Sequence, residues 1–155
     1  ETLTKHLTNL VDDDNKVWGE TRYCENNTVN MILTMYKRRA SQNGISVKIS
    51  AKASGSLAVP PQDLVVVIAN LFENAINEVA NLKSKEGYID IQIKDSPERL
   101  LIKIDNPCRA DLTFDENLYG IGIRSVISTT SKYEGMYDFT AEDGVFSAKI
   151  ILNLK

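Results

Sequence analysis

An aliphatic residue at every second position, in two successive runs, most limits how this chain can fold. Ile89, Ile91 and Ile93 alternate with polar residues, a turn from Asp95 to Glu98 containing Pro97 interrupts them, and Leu100, Ile102 and Ile104 resume the alternation. A period of two puts all six side chains on one face of a β-hairpin, and that face has to be covered. Two amphipathic helices supply cover. Val29, Ile32, Leu33, Tyr36 and Ala40 recur at helical spacing between Asn27, read as the cap, and Gly44. Leu64, Val67, Ile68, Leu71, Ala75 and Val79 mark the apolar face of a longer helix that opens at Pro60 and Pro61 and runs to about Lys83.

Ile45, Val47, Ile49 and Ala51 read as a further strand. Ile123, Val126 and Ile127 mark a third core helix, followed by a strand from Met136 to Ala141, a turn at Glu142-Asp143-Gly144, and a strand carrying Phe146, Ala148, Ile150, Leu152 and Leu154. Pro107 to Leu118 has neither period and reads as a loop of a length that often serves function. The expected class is α+β: a two-layer α/β sandwich, its sheet mixed but largely antiparallel, with the helices on one face. The other face is expected to be solvated, with partial cover at Ile151.

At 155 residues the chain has the size of one compact domain, and 18 basic against 21 acidic residues leave a net charge of −3. That balance gives no basic field for nucleic acid or an anionic membrane. The longest aliphatic run, Leu64 to Ala69, is far too short to span a bilayer. Cys24 and Cys108 lack zinc-ligand spacing and read as reduced thiols in a cytoplasmic setting. Near the start, Leu3, Leu7 and Leu10 suggest a short helix, Asp12-Asp13-Asp14 an exposed linker, and His6 a surface residue.

The chemistry-bearing residues cluster on the long helix. At 100° per residue, Asn70, Asn74, Asn77 and Asn81 share one stripe with Glu73 beside it. Asparagine is a mediocre helix former, so four on one line call for a reason beyond solvation. The strand alternation brings Asn106 out on the core-facing side, where it can meet a ligand, and Asp105 on the other; a one-residue bulge would exchange them. Gly120-Ile121-Gly122, directly before a helix, offers free amides at a positive helix terminus, a chemistry suited to phosphate.

In their order and spacing these segments resemble a known family. Asn70-Leu71-Phe72-Glu73-Asn74-Ala75-Ile76 resembles the N-box of the ATPase superfamily that unites gyrase, Hsp90, sensor histidine kinases and MutL (the GHKL superfamily), and Gly120-Ile121-Gly122-Ile123 resembles its second glycine box. Tyr23-Cys24-Glu25-Asn26, Asn106-Pro107-Cys108, the short lid and Lys132-Tyr133-Glu134-Gly135 resemble the ATP-binding domain of peptide-sensing, quorum-type sensor histidine kinases. The likeness covers about residues 20 to 154 and implies a Bergerat-type ATP-binding fold. It implies a catalytic domain over 20–155, preceded at 1–19 by a linker and the tail of an upstream dimerisation helix.

Carried over by position, Asn74 matches the asparagine that binds Mg²⁺, which in turn bridges the phosphates of ATP. Asn70 stands where hydrolytic relatives carry a glutamate base, and an amide cannot take a proton from water, which favours phosphoryl transfer over hydrolysis. Glu73 either orients or deprotonates the acceptor imidazole or is a surface residue. Asn106 stands where most relatives have an aspartate that accepts from the adenine amino group, with Asp105 as the competing contact. Asn77 replaces a basic phosphate-contacting residue, for which Arg124 is the substitute, while Gly120, Ile121, Gly122 and Ile123 face the triphosphate. The first glycine box is effectively absent, and Pro107 and Cys108 change the pocket floor.

The implied function is to position Mg-ATP for γ-phosphoryl transfer to a histidine on an upstream dimerisation domain of the same kinase, itself expected to be a homodimer. The phosphate then passes to a response regulator, commonly of LytTR type, and the domain itself touches neither nucleic acid nor membrane. The competing readings are a serine kinase of the anti-sigma type and a degenerate nucleotide-binding or interaction module.

Overall fold

The computed structural model describes residues 22–82, 86–110 and 120–154. The expected upstream helix and linker, His6 and the Asp12–Asp14 run lie outside the described residues, as does most of the loop after Cys108. Helix α1 spans Asn27–Gln42. Its cap is Asn26, one residue before the expected Asn27: the Asn26 side-chain oxygen accepts from Val29 N at 3.0 Å. The same residue donates from its backbone N to Ala53 O (2.9 Å) and from Nδ2 to Ser54 O (3.1 Å), so it also fastens the helix start to the loop after β1. Gly44, at φ +72°, reverses the chain out of the helix.

Strand β1 (Ser46–Lys52) leads to the long helix, which runs in three pieces: α2 (Pro61–Leu64), a π-helical turn (Val65–Ala69) and α3 (Asn70–Asn81). The helix ends at Asn81, with Leu82 already extended, slightly short of the expected Lys83. The π turn is a departure from the single regular helix expected, and it falls immediately before Asn70. Strands β2 (Tyr88–Asp95) and β3 (Arg99–Pro107), helix α4 (Ile121–Lys132), and strands β4 (Met136–Glu142) and β5 (Val145–Asn153) complete the fold.

The five strands form one sheet in the order β1-β2-β3-β5-β4, parallel between β1 and β2 and antiparallel elsewhere. The two hairpins and the layer class are as expected. Register places Ile89, Ile91 and Ile93 beside Val47, Ile49 and Ala51 on one side, and Ile91 and Ile93 beside Ile104 and Ile102 on the other. All six hairpin aliphatics are buried against Leu64, Val67, Ile68, Leu71, Phe72, Ala75 and Val126 from the helices. Each side chain of this size removed from water contributes about 1.5–3 kcal/mol before entropy is set against it. On the outer face, Ile151 is flanked across the sheet by half-buried Leu101 and exposed Met136, so its partial cover comes from cross-strand neighbours.

A buried carboxylate links two helices of the layer. Asp63, in the first turn of the long helix, is buried, and accepts from Lys132 Nζ at 2.9 Å and Tyr133 Oη at 2.6 Å. Burial works against its charge, but the phenol and the ammonium outweigh it and hold the carboxyl below its ordinary range. Burial and then Asp63 push the Tyr133 phenol upward.

Candidate functional site

The site is assembled where α3, the start of α4 and the end of β3 meet. Asn70 and Asn74 are half-buried on α3, and Asn77 and Asn81 continue the stripe into solvent. The opposite face of α3, with Leu71, Phe72, Ala75, Ile76 and Val79, is in the core, so packing fixes which way the asparagines look.

Asn70 has a specific local task. Its Nδ2 donates to Val66 O at 2.7 Å, inside the π turn. A carbonyl only accepts, so the amide nitrogen must face it and Oδ1 is left to point outward. That oxygen meets α4: a Cβ placed on Gly122 would lie 3.0 Å from Asn70 Oδ1. Glycine at 122 is therefore what lets the two motif segments touch. Gly120 has open space around it and an ordinary φ of −72°, so steric need explains one glycine of the pair and not the other.

Gly120 caps α4 without a side-chain hydrogen bond, and the first bond within the helix runs from Arg124 N to Gly120 O at 3.1 Å. The N–H groups of Ile121, Gly122 and Ile123 are the orphan donors of a helix start, at the positive end of its dipole. The side chains of these residues divide: Ile121 is 84% exposed, whereas Ile123 is in the core, so only the backbone of Ile123 can face a ligand. Arg124 is exposed on the first turn.

Asn106 lies at the C-terminal end of β3, fully buried on the core side as the alternation requires, with no bulge. Its Nδ2 donates to Pro107 O at 2.9 Å and its Oδ1 has no partner. An unpaired buried acceptor costs about 1–3 kcal/mol, which a ligand N–H would relieve. Asp105 sits on the other face beside Lys103 at 3.3 Å. Cys108, on the floor beyond, is buried, and burial with Glu78 nearby pushes its thiol upward, so it packs as a neutral group. A cavity of about 340 Å³ lined by Glu78, Asn81, Leu82 and Arg109 continues from the end of the stripe. A larger one, about 570 Å³, lies by the β2–β3 turn and contains none of these residues.

Glu73 turns away from the stripe toward α1. Tyr36 Oη donates to its Oε2 at 3.3 Å and Arg39 Nη2 lies 3.3 Å from its Oε1. Burial and then the Glu73 carboxylate raise the Tyr36 phenol. Basic residues near the C-terminus of a helix complement its dipole, so Arg39 needs no partner in the sequence, and nothing there points to this contact across more than thirty residues.

The donors fit an ATP–Mg²⁺ pair. The described residues contain no group of three or more metal-ligating His, Cys, Asp or Glu side chains, and magnesium typically takes few protein ligands, leaving the rest to phosphates and water. Asn74 offers one carboxamide oxygen, the α4 start offers N–H groups to phosphate, and Asn106 Oδ1 offers an acceptor to an exocyclic amine.

Comparison with known proteins bears on the family and the fold. The family model described as a GHKL domain matches residues 59–153. A probable C4-dicarboxylate sensor kinase from Bacillus subtilis (strain 168) is 32% identical over 120 residues, which make up 75% of this chain and 22% of that protein, so the chain spans about a fifth of the relative. Among solved structures, Acinetobacter baumannii histidine kinase AdeS superposes with a TM-score of 0.67 at 14% identity, over 97% of this chain and 75% of that one. The catalytic domain of histidine kinase ThkA gives 0.66 at 13% identity, over 83% and 92%.

Proposed function

Because the chain belongs to the GHKL domain family, we propose that it is the ATP-binding catalytic domain of a sensor histidine kinase. It positions Mg-ATP for γ-phosphoryl transfer to a histidine on the dimerisation domain of the same protein. The observation that carries the reading is the contact of Asn70 with Gly122, which sets the carboxamide stripe against the free N–H groups of α4. Those N–H groups hold phosphate oxygens, Asn74 ligates the metal, and Asn106 accepts from the adenine amine. Magnesium, when bound, neutralises charge on the phosphates. Asn70, an amide committed to Val66 O, does not activate water, which favours transfer over hydrolysis.

Within this reading the domain works on the cytoplasmic side in a homodimeric kinase, whose phosphohistidine passes the phosphate to a response regulator. The likeness at Asn106-Pro107-Cys108 supports a peptide-sensing member with a LytTR-type regulator. Calorimetric titration of ATP and ADP, with and without Mg²⁺, into this chain and Asn74→Ala tests the site. Metal-assisted ATP binding that Asn74→Ala weakens is expected, by about tenfold for one lost ligand. No binding by folded wild-type protein would sink the reading. In a protein that includes the dimerisation domain, acid-labile phosphohistidine is expected, whereas acid-stable phosphoserine on a partner would select a serine kinase.

A further inference from the structure

The carboxamide stripe is uncharged and Glu73 beside it is negative, yet the ligand it is built for carries several negative charges. Two basic groups stand on neighbouring elements: Arg124, exposed on the first turn of α4, and Arg39, reaching over from α1 to Glu73. Arg39 is placed with more care. Its guanidinium carbon lies 5.9 Å from the centre of the Tyr36 ring, and that ring stacks on Phe72 at 5.4 Å, so the stem stands on a fixed aromatic base. Apart from that ring, its tip meets Glu73, and loosely. The 3.3 Å separation exceeds the roughly 2.7–2.9 Å of a good charge-assisted hydrogen bond, and the two side chains are 46% and 42% exposed. Exposed pairs of this kind contribute little.

Glu73 is one helical step from both Asn70 (i−3) and Asn77 (i+4), with such neighbours about 5–6 Å apart. A guanidinium parked on Glu73 is therefore within a side-chain swing of the stripe. A terminal phosphate carries more charge than a carboxylate and accepts the same planar fork of donors in bidentate form. We infer that Arg39 is a phosphate-contacting residue of the nucleotide site, which leaves Glu73 for the terminal phosphate of ATP and so lets the site tell ATP from ADP. Glu73 is then a resting partner that competes with the nucleotide. The inference rests on the nucleotide-binding reading above.

The test is calorimetric titration of ATP and of ADP, each with Mg²⁺, into wild type, Arg39→Gln, Arg39→Lys and Glu73→Gln, with thermal melts to establish that each variant is folded. Arg39→Gln is expected to weaken ATP about tenfold, the equivalent of one charge-assisted bond, and ADP far less. Arg39→Lys, which keeps the charge and loses the fork, falls between. Glu73→Gln is expected to tighten ATP. A simple clamp between α1 and α3 predicts instead that all the variants destabilise the fold and leave the ATP/ADP ratio unchanged, an outcome that overturns the assignment. Wild type binding neither nucleotide would overturn the nucleotide reading itself; wild type binding both with an unmoved ratio would overturn Arg39 alone.

Discussion

Single side chains in this protein carry a tension between stability and binding, and Asn106 shows it most plainly. Its Oδ1 is buried without a partner while Nδ2 is tied to Pro107 O. Replacing it with leucine, of similar size, removes the orphan acceptor together with one hydrogen bond. Asn106→Leu is expected to leave the free domain as stable as wild type or more stable by about 1 kcal/mol, measured by urea unfolding, while abolishing adenine-nucleotide binding. A variant that keeps its ATP affinity would show that Asn106 does not face the base. Gly122→Ala acts at the phosphate end of the same site. The new Cβ would press on Asn70 Oδ1, whose amide cannot retreat without leaving Val66 O. Nucleotide affinity should fall severalfold with little change in melting temperature, since the crowding is at the edge of the core. The placement of Asn106 was legible from strand alternation, and that of Gly122 nearly so: the Gly120-Ile121-Gly122 segment reads as preceding a helix, whereas the helix already begins at Ile121. What alternation could not reveal was the Asn70–Gly122 contact, because it joins segments about fifty residues apart.

At the level of elements, the start of the long helix and the end of α4 are joined by Asp63, Lys132 and Tyr133, and helix periodicity gives no hint of it. Asp63 reads in sequence as an ordinary first-turn acid, and its partners lie 69 and 70 positions away. Tyr133→Phe leaves the buried Asp63 Oδ2 short of a donor and is expected to lower stability by about 1–3 kcal/mol. The pH dependence has a definite sign. The folded-state pKa of Asp63 is depressed, so the unfolded chain binds the proton first on acidification. Its contribution is complete above the unfolded carboxylate pKa, about 3.9, and fades as pH falls through the lower folded value. Urea melts from pH 6 down to pH 3 should therefore show wild type losing part of its advantage over Asp63→Asn at the acid end; parallel curves would refute it. Strands and hairpins, by contrast, were legible because a period of two leaves one solution for each face. The π turn at Val65–Ala69 was not, since Val65-Val66-Val67-Ile68-Ala69 contains neither glycine nor proline to announce a break in the helix. Nor could alternation say that β1 pairs in parallel with β2, because both directions bury the same residues.

For the molecule as a whole, the site lies on the helical side of the sheet, at the end where β3 finishes and α4 begins. The groups assigned to the nucleotide come from four separate stretches of chain: α3, the end of β3, the start of α4 and, through Arg39, α1. Such a site exists only in the folded state, so ligand binding must appear as global stability. Binding to the folded state alone adds RT ln(1 + [L]/Kd), about 2.7 kcal/mol at a hundredfold excess over Kd. For a domain of this size each kcal/mol moves the melting temperature by roughly 2–4 °C, so saturating Mg-ATP is expected to raise it by about 5–11 °C. The gain should be smaller with ADP, and about half as large with ATP in Asn74→Ala at the same ligand concentration, because tenfold weaker binding leaves RT ln 11, about 1.4 kcal/mol. Adenosine alone should give only a small shift, because it engages Asn106 and none of the N–H groups of α4. A shift equal for adenosine and ATP would place the binding energy at the base alone and leave the Asn70–Gly122 junction without a role in phosphate recognition.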